Sequence, residues 1–227
     1  GGGGGSALTR IGYRGDGGAW VDTGSSSSTF TIGGLVNGQN YDIRVRAVNA
    51  LGDGDEAGPV SGSPRTLAGS PRSIAAVAGD GSASITWSAP SDDGGAPVTG
   101  YVATLYDQST AGIAVASCTT TGPTTCDIAG LDNGTTLHVA VVAITAAGTG
   151  PSSAPRVAVR PVGVPTVSIT SLTPAATSIQ VDVSTDDGGS PLSGYQYRLD
   201  GGSWTSAETT AEPFTISGLA TGRSYEV

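Results

Sequence analysis

Internal repetition constrains this 227-residue chain more than any other feature of its sequence. Residues Asp92–Tyr101 spell DDGGAPVTGY, and Asp186–Tyr195 spell DDGGSPLSGY, 94 residues later. Residues Tyr13–Trp20 (YRGDGGAW) return as Tyr197–Trp204 (YRLDGGSW), 184 residues later. A repeat of this length indicates an array of similar domains. A third sequence motif occurs three times, as FTIGGLVNG at 30–38, CDIAGLDNG at 126–134 and FTISGLATG at 214–222.

Apolar residues in the middle copy alternate with polar ones, which is the pattern of half-buried β-strands. Ile85 and Trp87 share one face of a predicted strand, and Tyr101, Ala103 and Leu105 share a face of another. Turn signals of Gly, Asn and Asp separate these segments, and no helical period lies between them. The pattern therefore predicts an all-β sandwich.

The middle copy resembles the fibronectin type III module in its bacterial form. The resemblance rests on Trp87, the 90–97 loop, Gly100-Tyr101, the Gly130–Gly134 turn and the 146–151 loop. It implies an all-β chain of tandem fibronectin type III or immunoglobulin-like seven-stranded β-sandwiches in an elongated array. The core positions that it implies are Trp87, Tyr101, Leu131, Leu137, Tyr41 and Tyr225.

Two positions depart from the repeat. Leu137 stands where Tyr41 and Tyr225 stand in the other copies, so a tyrosine corner is expected in those two and not in the middle one. The 94-residue spacing places Val181 in the strand B position of Trp87, so the third core must be filled in another way.

The repeat predicts three modules of unequal completeness. Residues 1–67 are expected to hold strands C to G, 68–161 a complete module, and 162–227 strands A to the start of F. Because position 1 is not Met and both ends fall inside modules, we expect a window onto a longer array, opening with a Gly1–Gly5 loop or linker. Proline-containing links at 63–71 and 161–165 predict a jointed rod, with about 30 Å per module.

Charge and hydropathy exclude two classes of partner. The formal net charge is −9, the isoelectric point is near 4.3, and all ten basic residues are Arg. An acidic chain lacks the electrostatic attraction that dominates nucleic-acid binding. No apolar run approaches the roughly 20 residues that span a bilayer, so no membrane insertion is expected.

Cys118 and Cys126 are the only two cysteines, eight positions apart in the region expected to form strands C′ and E. Two cysteines facing each other across a hairpin fit a disulfide. Together with one distant His138 they are too few for a zinc site. A disulfide implies an oxidising compartment, and therefore an extracellular or cell-surface location, whereas free thiols would indicate a cytosolic protein.

Two tryptophans and one tripeptide suggest ligands. Trp20 and Trp204 follow the repeated YR word, where they are expected either to stack on sugar rings or to pack across their own hairpin. Arg14-Gly15-Asp16 spells the integrin tripeptide, but the aligned Arg198-Leu199-Asp200 indicates that Arg and Asp belong to the turn.

The remaining candidate residues have ordinary structural explanations. Asp53, Asp55 and Glu56 offer oxygens to calcium or form a solvated acidic loop. The Asp pairs before Gly-Gly are typical turn chemistry. His138 has no evident partner in register. The sequence therefore predicts no catalytic residue, no metal and no cofactor.

These observations favour a non-catalytic extracellular spacer or structural repeat of a surface, fibre or sheath-forming protein. Its expected partners are neighbouring modules of the same chain, further copies in a filament, and a glycan or surface protein. The alternatives are an accessory region of a secreted polysaccharide-degrading enzyme, and an adhesin whose loops bind a glycan or protein.

Overall fold

A computed structural model describes residues 5–227, and within that range the chain forms strands and turns without a helix. No segment of the described residues is a helix long and apolar enough to cross a membrane. Residues 1–4, which include most of the expected opening loop, lie outside the described range. The fold class expected from the sequence, a tandem all-β sandwich, is confirmed.

The N-terminal sheet contains four antiparallel strands in the order β2-β1-β3-β4. Their bounds are β1 (Leu8–Gly15), β2 (Val21–Asp22), β3 (Tyr41–Asn49) and β4 (Gly52–Gly62). No regular strand forms at 30–38, the first occurrence of the motif that is repeated three times.

The central sandwich contains two facing antiparallel sheets, β5-β6-β9 and β11-β10-β7-β8, and β12 also pairs with β10. Their bounds are β5 (Arg72–Gly79), β6 (Ser82–Ser88), β7 (Val98–Tyr106), β8 (Ala114–Thr120), β9 (Thr125–Ala129), β10 (Leu137–Thr145), β11 (Gly148–Thr149) and β12 (Val157–Val159).

The central core follows from the alternation seen in the sequence. Ile85 and Trp87 of β6 are buried and face the buried side of β7 and β10. The rings of Trp87 and Tyr101 meet edge to face, with centroids 5.4 Å apart, a favoured aromatic geometry. Leu131 and Leu137 are buried in the same cluster. One continuous apolar core therefore holds the two sheets together.

The C-terminal sandwich is built from a three-stranded sheet in the order β13-β14-β17 and a two-stranded sheet of β15 and β16. Its buried core contains Val181, Tyr195, Phe214 and Ile216. The bounds are β13 (Thr166–Pro174), β14 (Ser178–Asp186), β15 (Gln196–Tyr197), β16 (Thr205–Ser206) and β17 (Phe214–Ser217).

Strand pairing corrects the alignment of Val181 with Trp87. In the central sandwich Ile85 pairs with Cys126, and in the C-terminal sandwich Val181 pairs with Phe214, the repeat counterpart of Cys126. Val181 therefore occupies the position of Ile85. The difference arises because β14 continues directly into the Asp pair, whereas β6 ends at Ser88, before it.

The third core is filled by aromatic rings. Tyr195 and Phe214 stack with their centroids 5.4 Å apart and their planes 14° apart. Phe214 supplies the bulk at a position where the central sandwich carries a cysteine. The two cores therefore share a buried tyrosine at matching positions, Tyr101 and Tyr195, and differ where Phe214 stands in place of Cys126.

Candidate functional site

The two cysteines form a disulfide that joins the two sheets of the central sandwich. Cys118 lies on β8 and Cys126 on β9, with their Cα atoms 6.5 Å apart. These strands are the outermost members of different sheets. The predicted disulfide is therefore present, but it is a link between sheets and not a pair across one hairpin.

Trp20 is covered by basic side chains. The guanidinium of Arg46 lies 4.2 Å from the ring centroid, and that of Arg14 lies 5.2 Å away. The same cations form ion pairs, Arg46 with Asp53 at 2.9 Å and Arg14 with Glu56 at 2.6 Å. The face of Trp20 is therefore engaged within its own sheet.

Trp204 is the more accessible of the two tryptophans. The residue is 62% exposed, and the guanidinium of Arg198 lies 5.1 Å from the ring centroid. It borders a gap of about 300 Å³ in the apolar core of the C-terminal sandwich, which is lined by Val181, Tyr195 and Phe214. The matching ring of Trp20 is covered by Arg46 of β3, whose repeat counterpart would lie beyond residue 227.

The two Asp pairs hold their own loops in shape. Asp92 accepts a hydrogen bond from the backbone amide of Gly94 at 2.8 Å, and Asp186 accepts the same bond from Gly188 at 2.9 Å. The second Asp of each pair bonds the second glycine in the same way. These bonds are Asx turns, as the sequence predicted.

The aspartate of Arg14-Gly15-Asp16 is also a turn residue. Its carboxylate accepts a hydrogen bond from the amide of Asp42 at 2.8 Å. Asp200 makes the matching bond with the amide of Glu226 at 2.9 Å, and this bond, followed by Arg223, lowers the pKa of Asp200. The repeated geometry supports a structural role for the tripeptide.

Carboxylates of the acidic loop are paired with arginines of the same sheet. Glu56 contacts both Arg14 and Arg44, the latter at 2.9 Å, and Asp53 contacts Arg46. Within residues 5–227 no group of three His, Cys, Asp or Glu side chains is placed to hold a metal ion. His138 is half-buried on β10, opposite Tyr106 of β7.

One polar cluster was not found from the sequence. Glu212 accepts hydrogen bonds from the hydroxyl of Thr185 and from the hydroxyl of the buried Tyr195. The bonds from Thr185 and Tyr195 lower the pKa of Glu212, and the bond to Glu212 raises the pKa of Tyr195. Glu212 is not part of a repeated word, so only the fold reveals its partners.

Comparison with known families identifies the central sandwich. The fibronectin type III domain family matches residues 69–159. The central sandwich is therefore similar to the fibronectin type III domain family. The flanking strands carry the same sequence words, so the chain contains fibronectin type III-like modules in tandem. This fold is typically non-catalytic.

Solved structures with detectable similarity include domains A168–A170 of titin, at 19% identity over 66% of this chain and 53% of that one, with a TM-score of 0.49. The chicken CNTN1 FN1–FN3 domains match at 17% identity over 66% and 54%, with a TM-score of 0.40. The FN5 domain of Drosophila Lar matches at 21% identity over 43% and 99%, with a TM-score of 0.34. The chain spans about half the length of the first two structures.

Proposed function

We propose that this chain is a non-catalytic spacer or structural repeat region of an extracellular protein. One observation carries the proposal: the side chains best suited to chemistry are engaged in holding the fold. The Asp pairs close their own loops, and Glu56 is held between two arginines. A fold alone does not establish function, so this use of the candidate residues is the relevant evidence.

The proposal assigns three modules to the chain, at 1–67, 68–161 and 162–227. Proline-containing links between them restrict backbone freedom. Each sandwich contributes about 30 Å along the array, from strands of roughly nine residues at about 3.3 Å per residue. The expected product is an elongated particle that holds other domains at a distance or joins further copies in a fibre or sheath.

The disulfide supports the extracellular part of the proposal. Disulfides persist in oxidising compartments and are rare in the reducing cytosol. Cys118 and Cys126 are bonded to each other, and no free cysteine occurs in residues 5–227. Protease treatment of intact source cells should remove the protein if it lies on the surface, whereas full protection would contradict that location.

Small-angle X-ray scattering tests the spacer role. A compact chain of this length has a radius of gyration of about 17 Å. A linear array of three modules at about 30 Å each would instead extend to about 90 Å. A maximum dimension of about 90 Å supports the proposal. A radius of gyration at the compact value, or turnover of a polysaccharide by the purified protein, would overturn it.

Glycan binding is the second candidate, because Trp20 and Trp204 recur at matching positions and a tryptophan ring can stack on a sugar. The protein should be screened on a glycan array together with Trp204→Ala, with Trp20→Ala as the companion variant. Binding that disappears with Trp204→Ala would place an adhesin, or an accessory region of a polysaccharide-degrading enzyme, ahead of the spacer.

A further inference from the structure

The N-terminal sheet and the central sandwich meet through backbone groups. The amide of Gly38 donates to the carbonyl of Pro64 at 2.9 Å, which ties the link to the turn before β3. The amide of Thr66 in the same link donates to the carbonyl of Gly94 at 2.9 Å. Gly95 then lies against Gly38. A turn, a link and a loop therefore meet at one point.

The central and C-terminal sandwiches meet through the same set of contacts. The amide of Gly134 donates to the carbonyl of Pro161 at 2.8 Å, and that of Gly163 donates to the carbonyl of Gly188 at 2.8 Å. Gly189 lies against Gly134 as Gly95 lies against Gly38. Two junctions in different parts of the chain thus have one geometry, formed by the repeated words.

Glycine is required where the loop meets the turn. A Cβ atom on Gly95 would lie 2.6 Å from the carbonyl carbon of Asn37, and one on Gly189 would lie 2.7 Å from that of Asn133. Distances below 3.0 Å to backbone atoms are not seen for real Cβ atoms. The two loop glycines also have φ of +82° and +83°, a region that side chains disfavour.

We propose that the Asp-Asp-Gly-Gly loop of each sandwich is a docking surface for the Asn-Gly turn of the preceding one. The loop residues are Asp92–Gly95 and Asp186–Gly189, and the turns are Asn37–Gly38 and Asn133–Gly134. The partner of each surface is thus a fibronectin type III-like module that carries an Asn-Gly turn before strand F. Docking sets the orientation between neighbouring modules, so the link does not act as a free hinge.

The Asp side chains prepare this surface in advance. Each Asp accepts a hydrogen bond from the amide of a loop glycine in an Asx turn, so contacts within the loop itself hold the glycine pair in shape. Contact between glycines restricts orientation because Gly38 and Gly95, and likewise Gly134 and Gly189, have no side chain that can rotate away. A proline link alone restricts only its own φ angle.

The inference does not depend on the spacer role, because an adhesin or an enzyme accessory region would use the same junctions. Scattering and glycan screens test the proposed function without deciding how neighbouring modules are oriented. The junction requires a measurement of orientation within one chain.

A matched pair of glycines provides the experiment. Gly134 has φ of +81° and a Cβ on it would lie 3.0 Å from the Cα of Gly189. Gly222 occupies the same turn in the third copy with φ of +78°, and a Cβ there would meet nothing within 4 Å. Gly134→Ala and Gly222→Ala thus carry the same backbone strain, and only the first disturbs a junction. Gly189→Ala disturbs the same junction from the loop side.

Residual dipolar couplings of the full chain report the orientation directly. We expect the central and C-terminal sandwiches to share one alignment tensor in the unmodified protein and in Gly222→Ala. They should have separate tensors in Gly189→Ala and Gly134→Ala, while amide shifts show that both sandwiches stay folded. A shared tensor in folded Gly189→Ala would overturn the proposal. Separate tensors in the unmodified protein would also do so, whether or not any variant folds.

Discussion

Tyr41 accepts a hydrogen bond through its hydroxyl from the backbone amide of Val36, five residues earlier, at 2.9 Å. Tyr225 accepts the matching bond from Ala220, also at 2.9 Å. The middle copy carries the buried Leu137 at this position and fills the space with an apolar side chain. The tyrosine corner is therefore present where the repeat carries tyrosine, and the chain tolerates its replacement by core packing.

Replacing Tyr41 or Tyr225 by Phe should destabilise the surrounding module by about 1 kcal/mol. The substitution keeps the ring and removes one hydrogen bond, whose usual net contribution is of that size. Urea denaturation of each variant measures the change. Tyr106→Phe would be a poor control because Tyr106 is half-buried and the guanidinium of Arg156 lies 3.5 Å from its ring centroid, so Thr29→Ala at an exposed position is preferred. Unchanged stability in both Tyr variants would contradict a structural role for the hydroxyl.

Removing the disulfide should destabilise the central sandwich by about 2.5 kcal/mol. This value is the chain-entropy estimate for a closed loop of about eight residues. The double variant Cys118→Ser and Cys126→Ser should melt at a lower temperature than the oxidised protein, and reductant should lower the melting temperature of the latter alone. If reductant leaves the oxidised protein unchanged, the bond contributes no stability. Two alkylatable thiols in the native protein would show that the bond is absent in solution.

Substitutions of Trp87 separate the contribution of side-chain volume to stability from that of the indole N–H group. Its indole Nε1 is buried without a hydrogen-bond partner in the described structure. Trp87→Phe removes that unpaired group along with some volume, so we expect a loss of about 1–2 kcal/mol. Trp87→Ala should cost about 3–5 kcal/mol because it leaves a cavity between the sheets. Equal losses in the two variants would indicate that ring packing against Tyr101 is unimportant.

The stability of the C-terminal sandwich should fall in acid through Glu212. Hydrogen bonds from Thr185 and Tyr195 lower the pKa of this carboxylate in the folded state. The stabilisation is fully present above the ordinary Glu pKa of about 4.3 and is lost as the pH falls through the lowered folded value.

Denaturation measured at intervals between neutral pH and pH 3 tests this effect. Asp200 titrates in the same direction, because its pKa is also lowered. The informative quantity is therefore the difference in free energy of unfolding between the parent protein and Glu212→Gln. This difference should shrink as the pH falls. A difference that stays constant with pH would show that the carboxylate does not titrate with folding.

Local periodicity and repetition were sufficient to predict the fold class and much of the central core. Ile85 and Trp87 are buried because alternate residues of a strand face the same side. The position of Val181 was not predictable in the same way, because a small difference in strand length before the Asp pair shifts the register. Repetition of letters shows which segments correspond, but pairing decides which side chains share a core.

Contacts between distant segments limited the prediction of the candidate sites. The Asp pairs act within their own loops, so their role as turn residues followed from sequence. The partners of Glu212 lie 17 and 27 residues away, on segments whose juxtaposition depends on the sheet. The cysteines were correctly paired, but their placement on opposite sheets required the three-dimensional arrangement.

The disulfide between β8 and β9 has a consequence for aggregation in a protein made of repeated modules. Outermost strands carry unpaired amides and carbonyls that recruit strands from other molecules, and tandem copies multiply such sites. The disulfide holds the two edge strands β8 and β9 together, which restrains both from separating from the sandwich and pairing with a strand of another molecule. Phe214 stands in place of one of the two cysteines in the third copy, so that copy lacks the disulfide. Its corresponding edge strands are therefore the more prone to pair with other molecules and aggregate.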